Sequence, residues 1–323
     1  MKAITPVLPH RRALPSLRQL RYLVTLSQTR NFTRAAQACF VTQSTLSASL
    51  KELEGTLGTQ LVERDRQSVR MTPVGETVVG RARALLAEAE DLVEAAAAGG
   101  RPMAGMVRLG AIPTIAPFLL PSLLPLVRSH HPELRLALRE DLTASLLARL
   151  AQGTLDFALI ALPYETEGLL VRALFEDELW LVARETDPLV ATKRITVSQD
   201  LAERLLILEE GHCLREHTLE ACGKARVASA EGIEATSLLT LVEMVESGLG
   251  LALVPEIGIQ AGLLASTRLV ARPLSSPAPK RTVALVARRS TARRQEFSAL
   301  GEYIVELRKI RHGKVTTSIG RRA

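Results

Sequence analysis

Three cysteines occur in this 323-residue sequence, Cys39, Cys213 and Cys222, and the last two stand nine positions apart in LLILEEGHCLREHTLEAC, residues 205–222. A thiolate, not a thiol, attacks peroxides and disulfides, and it needs a lowered pKa to be populated at neutral pH. Nearby cations and a helix N-terminus supply that. Cys213 follows an apolar run that reads as a strand, stands where a helix should begin, and has His212 and Arg215 beside it. The spacing by itself leaves an incidental pair open. An odd cysteine count in a chain of this length argues against a structural disulfide framework, so any bond is expected to be transient. If residues 213–222 form one helix, the two side chains lie ~13 Å apart along the axis and about 180° around it. A disulfide needs Cα atoms roughly 4.4–6.8 Å apart. Cys39, in an apolar helical setting, reads as a buried structural thiol.

The elements around this pair read as alternating strands and helices. MVRLGAI, LRLALRE, LDFALIAL, LWLVARE, RLLILEE, GLALVP and RTVALVAR are short apolar runs separated by helical patterns, which implies an α/β domain with largely parallel sheets over residues 106–310. The length suits two subdomains with a cleft, about 106–175 with 282–310 and about 176–281, closed by a final helix from Arg293 to Lys309. Residues 311–323 form a basic tail. His130 and His131 precede Pro132 in a predicted loop with no cysteine or carboxylate at ligand spacing, so no metal site is expected. His217 is expected to be solvated, and Trp180 to pack in a strand.

The first part of the chain is different. Residues 1–72 hold eleven Lys and Arg against four Asp and Glu, so the whole formal charge of +7 lies there. Such asymmetry points to one small module that meets a polyanion. After an extension over residues 1–16, Leu17, Leu20, Leu23 and Val24 mark a helix, and Thr33 can cap a second one ending near Ala38. A turn at Phe40 and Val41 follows. Thr42 can then cap a third helix from Gln43 to about Glu54, giving the proportions of a helix-turn-helix. LVERDRQSVRMTPVG alternates as a two-stranded wing, completing a unit over 17–73. From Thr72 and Pro73 a helix over 74–98 repeats Val78, Ala82, Leu85, Ala89, Leu92 and Ala96 at coiled-coil spacing, a dimerisation seam. GGRPMAG, residues 99–105, reads as a hinge.

The stretch LRQLRYLVTLSQTRNFTRAAQACFVTQSTLSASLKELEGTLGTQLVERDRQSVRMTPVG resembles the winged helix-turn-helix of LysR-type transcriptional regulators almost end to end. That resemblance implies a DNA-binding protein, a dimerising linker helix, a homotetramer on promoter DNA, contact with RNA polymerase, and a two-subdomain regulatory fold like periplasmic binding proteins. A recognition helix presents its first residues to base edges, so Gln43, Ser44, Thr45 and Ser47 are candidates for base contact. Thr42 and Ser49 are candidates for phosphate contact, Arg34 and Lys51 flank the motif, and Arg64, Arg66 and Arg70 on the wing can neutralise phosphates.

The segment 205–222 is similar to the redox segment of the OxyR-type peroxide sensors within that family. The similarity implies that Cys213 is the peroxidatic thiol and Cys222 the resolving one, with hydrogen peroxide as signal and reducing dithiol proteins to reset the bond. It also carries peroxide-binding roles to Thr114, Thr143, His212 and Arg281, the last with Lys280 as its neighbouring alternative. Such donors would stabilise the leaving hydroxide. The expected protein is therefore a cytoplasmic activator without a cofactor. Two rivals remain: a regulator that binds a small carboxylate in its cleft, and a thiol peroxidase, for which no Cys-x-x-Cys or cofactor fingerprint speaks.

Overall fold

Ser16 opens the first helix, α1 (Leu17–Thr29), by accepting from the Gln19 amide while the Gln19 side chain accepts from the Ser16 amide at 2.8 Å. The reciprocal cap satisfies two amides that a helix start leaves without partners. The structure is a computed structural model that describes residues 13–64, 69–97, 102–223 and 234–319. It divides into two units, Met1–Val93 and Glu94–Ala323.

In the first unit, α2 (Phe32–Ala38) is capped by Asn31, which accepts from the Arg34 amide, and not by Thr33. Thr33 instead donates to the Gln43 side chain at 3.1 Å. Phe40 turns the chain with φ 56°. Thr42 caps α3 (Gln43–Leu57), which Gly58 ends in a left-handed conformation, one turn beyond the expected stop. Leu46, Leu50 and Leu53 recur at helical spacing and join Leu20, Leu23, Leu26, Ala35 and Ala36 in one core, whereas Leu17 is left 48% exposed. Two short strands, β1 (Val62–Arg64) and β2 (Val69–Met71), pair antiparallel as the base of the wing. Glu54 pins that base by accepting from the Leu61 and Val62 amides. Arg66 and the wing tip lie outside the described residues.

The long helix α4 (Pro73–Ala97) divides the anticipated dimerisation row. Ala82 is buried in the unit's own core and Val78 packs against it, because the helix must cover the core formed by α1 and α3. Leu85 and Leu92 remain 53% and 73% exposed, and Ala89 is half-buried.

The second unit carries a seven-stranded sheet in the order β4-β3-β5-β9-β6-β7, with β8 on β6. Its strands are β3 (Gly105–Ala111), β4 (Leu134–Glu140), β5 (Phe157–Leu162), β6 (Leu169–Arg184), β7 (Ala252–Pro255), β8 (Leu269–Pro273) and β9 (Lys280–Arg288). Only β3 with β4 and β3 with β5 run parallel; every pairing of β6 and β9 is antiparallel. The expectation of largely parallel sheets is corrected by β6, whose sixteen residues run through both halves of the unit. RLLILEE forms no strand and makes only single bridges, Leu205 to Leu251 and Leu208 to Ala235.

Helices α5 (Ala116–His130), α6 (Thr143–Ala151), α7 (Gln199–Glu203), α8 (Cys213–Cys222), α9 (Leu238–Glu246), α10 (Glu256–Gln260) and α11 (Arg294–Ile319) complete the unit. His130 therefore ends a helix instead of lying in a loop, and the final helix runs ten residues past Lys309, through much of the anticipated tail. Two separate cores result. One gathers β3, β5, β9, α5, α6 and α11, and the other gathers β6, β7, α7 and α9. No helix among the described residues is long and apolar enough to cross a membrane.

Candidate functional site

Gly211 takes φ 92°, a backbone region that side chains disfavour, and so brings the chain sharply into α8 with His212 as cap and Cys213 as first helical residue. A continuous ten-residue helix then carries Cys213 at one end and Cys222 at the other, both free and both buried. Cys213 belongs to the first core and Cys222 to the second, so a single helix links the two cores through its terminal thiols.

Burial pushes the Cys213 thiol up, and this outweighs the lowering effects of Arg281, of the Thr143 hydroxyl, and of the amides of Cys213 and Leu214 at the helix start. The resting side chain is therefore a thiol, against the depressed pKa anticipated from its neighbours. Arg215, read from sequence as a supporting cation, instead donates to Leu208 O and Glu234. Burial also raises the Cys222 thiol.

Thr114, Leu142, Thr143, Gly211, His212 and Cys213 line one narrow pocket, with Ile112 and Pro113 behind Thr114. Three of the four side chains that the resemblance marks for peroxide, Thr114, Thr143 and His212, thus share this pocket with Cys213. Thr143, at the first position of α6, is 1% exposed, and its hydroxyl is turned to the Cys213 thiol. His212 places Nε2 3.8 Å from the Glu209 carboxylate.

Arg281 stands one layer behind. Its Nη1 donates to Thr114 Oγ1 at 2.7 Å and its Nη2 to Thr114 O at 3.1 Å. Since Thr114 Oγ1 accepts there, its own proton is left for the pocket. Lys280 points to the surface and pairs with Glu176, so Arg281 is the basic residue that reaches this site. Arg281 is held in turn by Asp177 Oδ2, at 3.1 Å from Nε and 3.0 Å from Nη2. No local motif in the sequence marks Asp177, because its partner lies 104 positions away along the chain.

The opposite side of α8 holds His217, which is 6% exposed and not solvated as anticipated. Its Nδ1 has no partner among the described residues, and Glu220, Ser275, Ser276 and Lys280 are among the groups lining the same cavity of about 410 Å³. Burial, reinforced by Arg281, lowers its pKa to about 4. An unfolded or unwound segment would bind a proton near pH 6.5 that the packed helix refuses. Stability from this group is complete above about pH 6.5 and declines as pH falls toward 4, by at most about 1.4 kcal/mol per pH unit. Melting the reduced protein at pH 7.5 and 5.0 should show a steeper acid loss in the parent than in His217→Gln; equal losses contradict this account.

In the first unit Arg34, Thr42, Gln43, Ser44, Thr45, Lys51 and Arg70 are exposed, and Ser47 and Ser49 are half-buried. Thr42 is occupied as a cap, bonding the Thr45 amide at 3.2 Å and sharing hydroxyl contacts with Ser44 and Thr45. Arg64 ends β1. Cys39 is half-buried at the end of α2.

Comparison with known proteins gives two family matches. "Bacterial regulatory helix-turn-helix protein, lysR family" covers residues 17–76, and "LysR substrate binding domain" covers residues 100–309. The HTH-type transcriptional regulator EstR of Acinetobacter baylyi is 47% identical over 289 residues, 89% of this chain and 95% of that protein. A full-length OxyR from Pseudomonas aeruginosa carrying a cysteine-to-aspartate substitution superimposes with a TM-score of 0.74 at 37% identity, covering 90% of this chain and 94% of that one. A cysteine-to-serine OxyR from Corynebacterium glutamicum, solved with hydrogen peroxide bound, gives 0.62 at 31% identity, covering 95% and 97%.

Proposed function

The chain belongs to the LysR family of bacterial transcriptional regulators, and from that premise we propose that it senses hydrogen peroxide through Cys213 and Cys222 and transmits the signal to promoter DNA. The observation that carries this reading is the joint placement of Cys213, Thr143 and Thr114 on one narrow pocket, with a second thiol at the far end of the same helix. The peroxide-bound OxyR relative supports it.

In the proposed reaction the Cys213 thiol gives up its proton, the thiolate sulfur attacks one peroxide oxygen, the O–O bond breaks, and the leaving hydroxide takes that proton and departs as water. Thr114 and Thr143 donate to the departing oxygen, and His212 stands beside it. Cys213 is then a sulfenic acid. The Cys222 sulfur attacks it, a second water leaves, and two thiols have lost the two electrons that peroxide gained. Across a helix the sulfurs are ~13 Å apart, so closing the bond requires α8 to unwind. Because the helix ends lie in different cores, unwinding repacks both, and that is the switch. A reducing dithiol protein resets it, and the response reaches RNA polymerase through a homotetramer on the promoter, with Leu85, Ala89 and Leu92 of α4 at a subunit contact. The exposed start of α3, with Gln43, Ser44 and Thr45, reads bases there, while Arg34, Lys51 and Arg70 meet phosphates.

The 47% identity to EstR, a regulator not named for peroxide, favours a second reading in which Cys213 is incidental, and on that reading the signal is a small carboxylate in the cleft. One experiment separates the two. Thiols are counted before and after one equivalent of peroxide in the parent and in Cys222→Ser. The sensor loses two thiols in the parent, whereas Cys222→Ser loses one and no longer changes its DNA binding. Retention of both thiols in the parent, or a normal response from Cys222→Ser, would refute the mechanism.

A further inference from the structure

Asp177 and Arg281 face each other as direct partners in the antiparallel register of β6 and β9, downstream of a bulge at Ala173–Phe175. Opposed residues in such a pair project to one face, so the register alone brings carboxylate and guanidinium together. Both are essentially without solvent, at 0% and 1% exposure. Asp177 Oδ2 takes two hydrogen bonds from Arg281, and Oδ1 takes one from the Ile257 amide at 2.9 Å. The guanidinium has two further bonds, both to Thr114. Arg281 thus touches the pocket wall on one side and a buried anion on the other.

A lone buried cation close to a thiol stabilises the thiolate strongly. Here the cation is paired with Asp177, and its lowering effect on the Cys213 thiol is outweighed by burial. We propose that Asp177 is a positioning residue for the reaction at Cys213: by pairing with Arg281 it withholds part of the guanidinium charge from the sulfur, restraining its reactivity, while it keeps Thr114 on the pocket wall. The inference rests on the reading of Cys213 as the sensing thiol. It makes the ion pair a threshold setting, in which stronger pairing demands more oxidant.

Asp177→Asn keeps the shape and the acceptor oxygen but removes the charge. Full-length protein is alkylated with iodoacetamide across pH, and the Cys213-containing peptide is followed by mass spectrometry. In Asp177→Asn the alkylation midpoint should fall by about one pH unit, with a roughly tenfold faster rate at neutral pH. An unmoved or raised midpoint overturns the proposal, because a mere anchor for Arg281 would have no such effect. If Asp177→Asn does not fold, the double variant Asp177→Asn with Arg281→Gln decides. A midpoint near that of the parent supports a pair that is nearly neutral toward the sulfur, and a rise of more than about one unit overturns it. Alkylation needs no peroxide, so a parent that alkylates normally yet forms no disulfide with peroxide refutes the sensor reading without touching this result.

Discussion

Cys213→Ser is expected to abolish the loss of thiols on peroxide addition and to fix DNA binding in its reduced pattern. A serine hydroxyl is almost never ionised near neutral pH and is a far weaker nucleophile than a thiolate, so attack on peroxide slows by on the order of a thousandfold or more. The fold should survive, because Cys213 is a small side chain at the edge of the first core, 8% exposed, and serine is close to its size. The check is a thiol titration against peroxide with a melting curve of the same sample. If the variant melts normally and still loses two thiols, the bond joins Cys39 and Cys222 and Cys213 is not the sensor.

Arg281→Ala has the largest expected effect on stability. Its removal leaves Asp177 as a buried anion without its cation, keeping only the Ile257 amide, and frees Thr114 on the pocket wall. Breaking a fully buried pair by deleting one partner costs about 3–5 kcal/mol. For a unit of this size that corresponds to a fall of roughly 10 °C in the regulatory-unit transition. The variant should also react more slowly with peroxide at neutral pH, since the nearby charge that favours the thiolate is gone. A melting point within two or three degrees of the parent's would mean that the pair contributes little to the fold.

These two residues also mark where the sequence was informative and where it was not. Cys213 was visible because the helix start, the glycine turn and the second thiol are all local. The helix-turn-helix was legible for the same reason: Leu46, Leu50 and Leu53 recur at helical spacing beside a capping Thr42. Local chemistry still misassigned one cap, since Asn31 and Thr33 offer equivalent side chains and only the backbone angle at Asn31 decides between them. Longer-range features stayed hidden. The end of β6, around Trp180, reads as a strand, but the acidic run Glu176, Asp177 and Glu178 in its middle conceals its continuation from Leu169. RLLILEE is apolar because it fills the second core, not because it pairs along its length. His217, expected to be solvated, is instead covered by the segments 195–197 and 275–280, which lie far from it in the chain.

Hydrogen–deuterium exchange across residues 213–222 of the full chain, in the thiol form and after one equivalent of peroxide, is the most direct measurement. The thiol form should exchange slowly throughout α8, as ten helical residues between two cores require, and the disulfide form should exchange there at rates near those of an open chain. A protein that forms the Cys213–Cys222 bond while those amides stay equally protected contradicts the account.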